Sequence, residues 1–149
     1  MDGAFGYKLG DKVSGEIDDY MPLRDTPPFD EFSIDRLSDG RICQITAMGI
    51  VEESDLYDCR KRLISVLTEK YGARGKMGAE KYALDLGGEN YYFGTTDRVA
   101  YLAITDNQTN AFFHMDYYDV KLRAIYFDEQ EVIRQKDEED KKAALRKGL

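Results

Sequence analysis

One segment limits the fold of this chain more than any other. From about Asp55 to Tyr71, Leu56, Cys59, Leu63, Leu67 and Tyr71 recur at steps of three and four, and Ile64 and Val66 widen the stripe. That spacing predicts an amphipathic helix with one buried face. Ser54 is the expected N-cap, Asp55 and Asp58 fall where the helix dipole favours acids, and Gly72 stands where a residue of positive φ ends a helix. Arg60, Lys61, Arg62, Glu69 and Lys70 fall on the other side and read as a solvated face. The apolar stripe must lie against another layer, and the chain supplies extended runs on both sides of it.

Before the helix, Phe32 and Ile34 alternate with Glu31, Ser33 and Asp35, Ser38-Asp39-Gly40 has turn chemistry, and Ile42 to Val51 is a β-branched run. Together they predict a hairpin over Phe29 to Val51. Cys43, Ile45, Ala47 and Val51 share one parity, which sends Cys43 to the core face. After a Gly-rich basic loop, strands are expected at Tyr82 to Leu86, Tyr91 to Phe93, Val99 to Thr105, Ala111 to Tyr118 and Leu122 to Phe127. Polar turns separate them, as in an antiparallel meander. The predicted class is α+β, an antiparallel sheet of about five or six strands with the 55–71 helix on one face.

From Glu129 onward the composition turns to Glu, Asp, Lys, Arg, Gln and Ala. Asp137 with Lys141 and Glu138 with Lys142 stand at i, i+4 in the order that supports a helix. Only Val132, Ile133 and Leu145 offer anchors, so a helix is expected that starts ordered and frays toward Leu149. The organisation is then one α+β domain over 1–128 with an irregular N-terminal segment, followed by a charged helix or tail over 129–149.

Composition removes several function classes. With 42% hydrophobic residues, eleven Tyr and seven Phe in 149 residues, a core is available and global disorder is excluded. The formal charge of −8 has the wrong sign for gripping a phosphate backbone, which argues against nucleic acid as a partner. No run approaches the roughly 18 apolar residues of a membrane helix, and the first residues lack a signal peptide's basic and apolar regions. Acid is concentrated early: residues 1–40 carry ten acids and four bases. All three prolines lie between Glu16 and Asp30 among Asp18, Asp19 and Asp25, which predicts an irregular acidic loop. It is either a solvated connector or a recognition loop that presents Asp18, Asp19, Tyr20 and Asp25 to a basic partner.

The two cysteines, Cys43 and Cys59, are 16 positions apart on the predicted strand and helix. If strand and helix pack with the sulfurs together, a disulfide there contributes about 3 kcal/mol and implies an oxidising compartment. The other reading is two buried free thiols acting as small hydrophobes, which would point to the cytoplasm instead. Phe5-Gly6-Tyr7-Lys8-Leu9-Gly10 at the start, a helix ending Leu67-Thr-Glu-Lys70-Tyr71-Gly72, and Leu122 to Asp128 leading into a charged helix resemble a broad set of small exported bacterial proteins with an FG-x-x-LG opening and an L-x-x-KYG helix end. The resemblance implies a periplasmic or secreted α+β domain and carries over no catalytic residues.

Catalytic motifs are sparse. Gly75-Lys76 lacks the Gly and Ser/Thr of a phosphate loop, since Lys70 and Met77 occupy those places. The single histidine, His114, shares a strand face with Asp116, which would orient an imidazole as a base, but no serine in a nucleophile-elbow context completes a triad. One His and two separated Cys do not make a zinc site, and the acidic runs lack a calcium loop's Gly turn, so no metal or cofactor is expected. Asn107-Gln108-Thr109 matches a glycosylation sequon, of consequence only in a eukaryotic secretory host. Tyrosines crowd the meander and are read either as an exposed contact surface or as rings covering the core rim.

The resulting expectation is an exported, non-enzymatic domain that binds another protein, as an inhibitor or immunity-type protein does with a basic partner. The alternatives are a small hydrolase or ligand-binding module using His114 and Asp116, and an envelope-associated structural protein that dimerises through its terminal helix.

Overall fold

The computed structural model describes residues 3–15, 26–73 and 85–149. A two-stranded hairpin of β1 (Gly3–Ala4) and β2 (Tyr7–Lys8) precedes a five-stranded sheet. The sheet is built from β3 (Glu31–Arg36), β4 (Ile42–Glu52), β5 (Glu89–Gly94), β6 (Arg98–Asp106) and β7 (Asn110–Asp119). Its spatial order is β3-β4-β7-β6-β5 and every pairing is antiparallel. Helix α1 (Leu56–Tyr71) follows β4 through a 3₁₀ turn at Glu53–Asp55, and helix α2 (Val120–Gly148) leaves directly from β7. The α+β class and the antiparallel sheet are as the sequence predicts.

One face of the sheet carries Ile34, Ile45, Ala47, Leu102, Phe113, Met115 and Tyr117, and it packs against Leu56, Leu67 and Tyr71 of α1. Tyr71 stacks on Tyr117 at 5.2 Å between centroids, and its hydroxyl donates to the Gly3 carbonyl at 3.2 Å, tying the N-terminal hairpin to the helix. Gly49 is required here, because a Cβ at that position would lie 1.9 Å from the Pro28 carbonyl oxygen. A glycine inside a β-branched run is the sequence sign of such a close backbone approach.

Four local expectations are corrected. Ser54 is not the N-cap: it lies inside the 3₁₀ turn, and Asp55 occupies that position without a side-chain cap bond. Leu122 to Phe127 is helix rather than strand, since the Asp119 carboxylate accepts from the Leu122 amide at 2.9 Å and starts α2 there. The same six residues read as alternating along a strand but place Arg123 and Phe127 one turn apart on a helix, and the cap decides between them. Of the two readings of the tyrosines, the structure favours rings that cover the core, since Tyr101, Tyr117 and Tyr118 are fully buried on the two faces of the sheet. Of the strand expected at Tyr82 to Leu86, residues 82–84 lie outside the described residues, while Asp85 and Leu86 are not in a strand.

The fourth correction concerns the cysteines. Cys43 and Cys59 are free thiols on opposite sides of the sheet. Asp35 pairs with Gln44 while Arg36 pairs with Ile42, so β4 bulges at Cys43. The bulge breaks the alternation that placed Cys43 with Ile45. Its sulfur donates to the Asp35 carbonyl at 3.2 Å and lies among groups contacted by α2, whereas Cys59 packs into the α1 layer.

Candidate functional site

The second face of the sheet is built differently. Alternation and register bring Gln44, Thr46, Met48 and Ile50 of β4 beside Tyr118, Asp116, His114 and Phe112 of β7, with Tyr101 of β6 across from Asp116. Among the described residues, the first turns of α2 roof the Gln44–Tyr118 end through Arg123, and Val99, Tyr101 and Ala103 of β6 are buried beside it.

Under that roof runs a continuous polar network. Arg123, buried, donates through Nε to Gln44 Oε1 at 2.7 Å, and its guanidinium lies over the rings of Tyr118 and Phe127 at 4.5 and 4.7 Å. Gln44 Nε2 donates to Asp35 Oδ2 at 3.2 Å and reaches Thr46 Oγ1 at 3.3 Å. Thr46 Oγ1 donates to Asp116 Oδ1 at 2.5 Å, and Asp116 Oδ2 lies 2.7 Å from His114 Nε2. Tyr126 closes the α2 end by donating to Asp35 Oδ1 at 3.4 Å. On the far side of the face the Tyr101 hydroxyl donates to Asn90 and accepts from the Leu86 amide.

Burial sets the electrostatics. Loss of water raises the Asp35 carboxyl, against the lowering effect of the Tyr126 hydroxyl. The Cys43 thiol is pushed up to about 12, first by burial and then by Asp35. Tyr126 is pushed up to about 12 by burial and by the same carboxylate. Cys43 is therefore protonated and inert at neutral pH.

Past His114 the roof ends. Met48, Ile50 and Phe112 are 37%, 57% and 39% exposed, and register sets Ile50 opposite Phe112 and Met48 opposite His114 in one apolar patch. Acids border it at the same end of the sheet: Glu52 pairs with Asn110, the Glu53 amide donates to the Thr109 carbonyl, and Glu53 and Asp106 face each other. The hydrogen bond to Asp106 raises the Glu53 carboxyl, while the Gln108 amide, followed by Glu53, lowers that of Asp106.

The structure thus joins His114 and Asp116, as their shared parity on β7 predicts. It adds Thr46, Gln44, Arg123 and Asp35, which sequence reasoning missed because their convergence depends on long-range register and on α2. Asp18, Asp19, Tyr20 and Asp25 lie outside the described residues. Thr46 is the hydroxyl next to the Asp116–His114 pair, and it already donates to Asp116. Among the described residues no group of three or more His, Cys, Asp or Glu side chains gathers to hold a metal ion. No described helix is long and apolar enough to cross a membrane. Compared with family models, curated proteins and solved structures, the chain gives no significant match.

Proposed function

We propose that this protein is a non-enzymatic binding domain that docks a partner protein through the open end of its second sheet face. The observation that carries the reading is the exposed patch of Met48, Ile50 and Phe112 beside the acids Glu52, Glu53 and Asp106. An apolar centre with a charged rim is the ordinary anatomy of a protein interface, and a negative rim selects a basic partner. The net charge of −8 steers such a partner from a distance, with Asp18, Asp19 and Asp25 contributing, as an inhibitor or immunity-type protein requires. A periplasmic or secreted location rests on the resemblance to exported proteins, because with Cys43 and Cys59 apart no disulfide argues for an oxidising compartment.

The test compares the wild type with Ile50→Asp/Phe112→Asp and with Glu52→Lys, each immobilised and offered an extract of the source cells at low and high salt. A basic protein retained by the wild type, released by salt and retained at least about tenfold less by the variants, with unchanged melting temperatures, is the expected result. Equal retention by the variants, or no protein retained, overturns the proposal.

The second reading, a hydrolase or ligand-binding module, is favoured by the 2.7 Å contact between His114 and Asp116. A buried carboxylate can orient an imidazole as a general base. With Thr46 bonded to Asp116 and Cys43 protonated, the nucleophile in such a reaction would be water. Hydrolysis of a generic ester or phosphodiester that disappears in His114→Gln would establish this reading in place of the first.

A further inference from the structure

The docking patch makes no use of the chain's opening, Phe5-Gly6-Tyr7-Lys8, or of the end of α1, Leu67 to Tyr71. Both line one open cavity of about 670 Å³ on the α1 face of the sheet, between the β1–β2 hairpin and α1. Its floor is buried and apolar, made of Phe29, Leu67, Tyr71 and Met115. At its open side Lys8 and Lys70 are exposed, and Val66 is 50% exposed. A concave site of this volume, lined by carbon with a few polar groups, has the anatomy of a small-molecule site.

Local structure shapes both walls. On α1, Leu63, Val66, Leu67 and Lys70 stand at i, i+3, i+4 and i+7, on one side of the helix. Leu67 and Tyr71 are buried in the core, while Val66 and Lys70 stay exposed at the edge of that stripe. Lys70 Nζ lies 5.2 Å from the centre of the Tyr71 ring, which places the ammonium against the cavity wall. On the opposite wall, Phe5 and Gly6 form the two-residue turn between β1 and β2, with φ of 56° and 90°. Such turns favour Asn or Gly, and Phe5 is held in this one by edge contacts with Phe29 and Phe32 at 5.9 and 5.8 Å. A ring kept in a sparsely used conformation by its packing makes a preformed wall. The bond from the Tyr71 hydroxyl to the Gly3 carbonyl fixes that wall to the helix.

Charge selects the occupant. The chain carries −8 overall, yet the described residues that line this cavity include two lysines and no acid. We propose that the cavity binds a small amphipathic carboxylate, a medium-chain acyl acid, with its apolar body over Leu67 and Met115 and its carboxylate at Lys8 and Lys70. The apolar floor supplies affinity by losing water, and the two ammonium groups supply the preference for an anionic head. An amine of the same length finds the same carbon but meets two like charges. The site goes beyond the docking reading and does not depend on it, because the patch around Ile50 lies on the other face of the sheet. That patch is bordered by Glu52, Glu53 and Asp106, so it favours the amine, and the sign of the preferred ligand tells the two surfaces apart.

The experiment titrates the full-length protein with decanoate and with decylamine, each up to about 1 mM, and follows binding by calorimetry and methyl NMR. Decanoate is expected to bind saturably and at least about tenfold more tightly than decylamine. It should move the methyl signals of Leu63, Val66, Leu67 and Met115 more than those of Met48 and Ile50. Lys8→Glu with Lys70→Glu is expected to reverse the preference between the two ligands. Val66→Trp, which fills the open side, is expected to weaken decanoate binding at least about tenfold. Melting temperatures check that the variants fold, and where one does not, the wild-type comparison of the two ligands and its NMR map decide alone. No saturable binding of decanoate, decylamine bound as tightly, or shifts confined to Met48 and Ile50 overturns the proposal. So does a preference that the lysine exchange leaves unchanged, or decanoate binding that a folded Val66→Trp retains in full.

Discussion

The two faces of the sheet are held by opposite means. On the α1 face, Phe113, Leu102, Ile45 and Tyr117 are buried among apolar neighbours, and the stabilisation is water excluded from carbon. On the α2 face, buried Arg123, Thr46 and Asp116 and half-buried Gln44 and Asp35 form a bonded network, and each group depends on its partner being present. A packed apolar face tolerates no cavity, whereas a polar face tolerates no orphan. The difference extends to where a surface is left over. The first turns of α2 roof the network, and the end of the face around Met48, Ile50 and Phe112 stays exposed.

The sharpest way to break this contrast is in the apolar layer. Phe113→Ala is expected to lower stability by about 3–5 kcal/mol, measured by urea unfolding. A loss below about 1 kcal/mol would mean that this layer is not the principal core.

The polar layer should respond to chemistry more than to size. Arg123→Met keeps the length of the side chain but leaves Gln44 Oε1 without its 2.7 Å donor, and a loss of about 1–3 kcal/mol is expected. If the double variant Arg123→Met/Gln44→Leu recovers most of that loss, the cost is the orphaned acceptor. If it does not, the loss lies in the other contacts of the pair, the stacking of Arg123 on Tyr118 and Phe127 and the donation of Gln44 Nε2 to Asp35.

A smaller effect separates the faces by pH. Burial raises Asp35 above its ordinary 3.8 in the folded state, so folding favours its protonated form. Stability from this group is fully present below the unfolded value and is lost as pH rises through the raised folded one. Asp116 opposes the charge of Asp35, while Arg123, Tyr126 and Gln44 support it. Melting temperature should therefore fall more between pH 4 and pH 7 in the wild type than in Asp35→Asn, and identical slopes would contradict the burial of this carboxyl.

The smallest effect belongs to the open patch. Ile50 is 57% exposed, so Ile50→Ser should change stability by less than about 0.5 kcal/mol. A larger loss would mean that the patch is covered within the chain and is not available for docking.

The helix over 56–71, the β3–β4 hairpin and the β6–β7 strands were legible because their residues repeat at the periods of helix and strand, and those periods are local. Cys43 was misread for a local reason as well: one extra residue in β4 reverses the parity on which a strand argument depends. Leu122 to Phe127 has the composition of either element, and the Asp119 cap together with a sheet face awaiting a cover made it helical. The His114–Asp116 pair was legible as two same-face residues on one strand. Its partners were not, since Thr46 lies 70 positions from Asp116 and Gln44 lies 79 from Arg123.

What the sequence by itself determined is which segments are regular, which sides of them are apolar, and how charge is ordered along α2. Those properties follow from residue spacing and need no partner. Tertiary structure alone decided which polar side chains lose water together, where the two cysteines lie and which part of the sheet stays open. Each of these depends on strand register and on where α2 lies across the sheet, and both are set by packing between residues far apart in the chain.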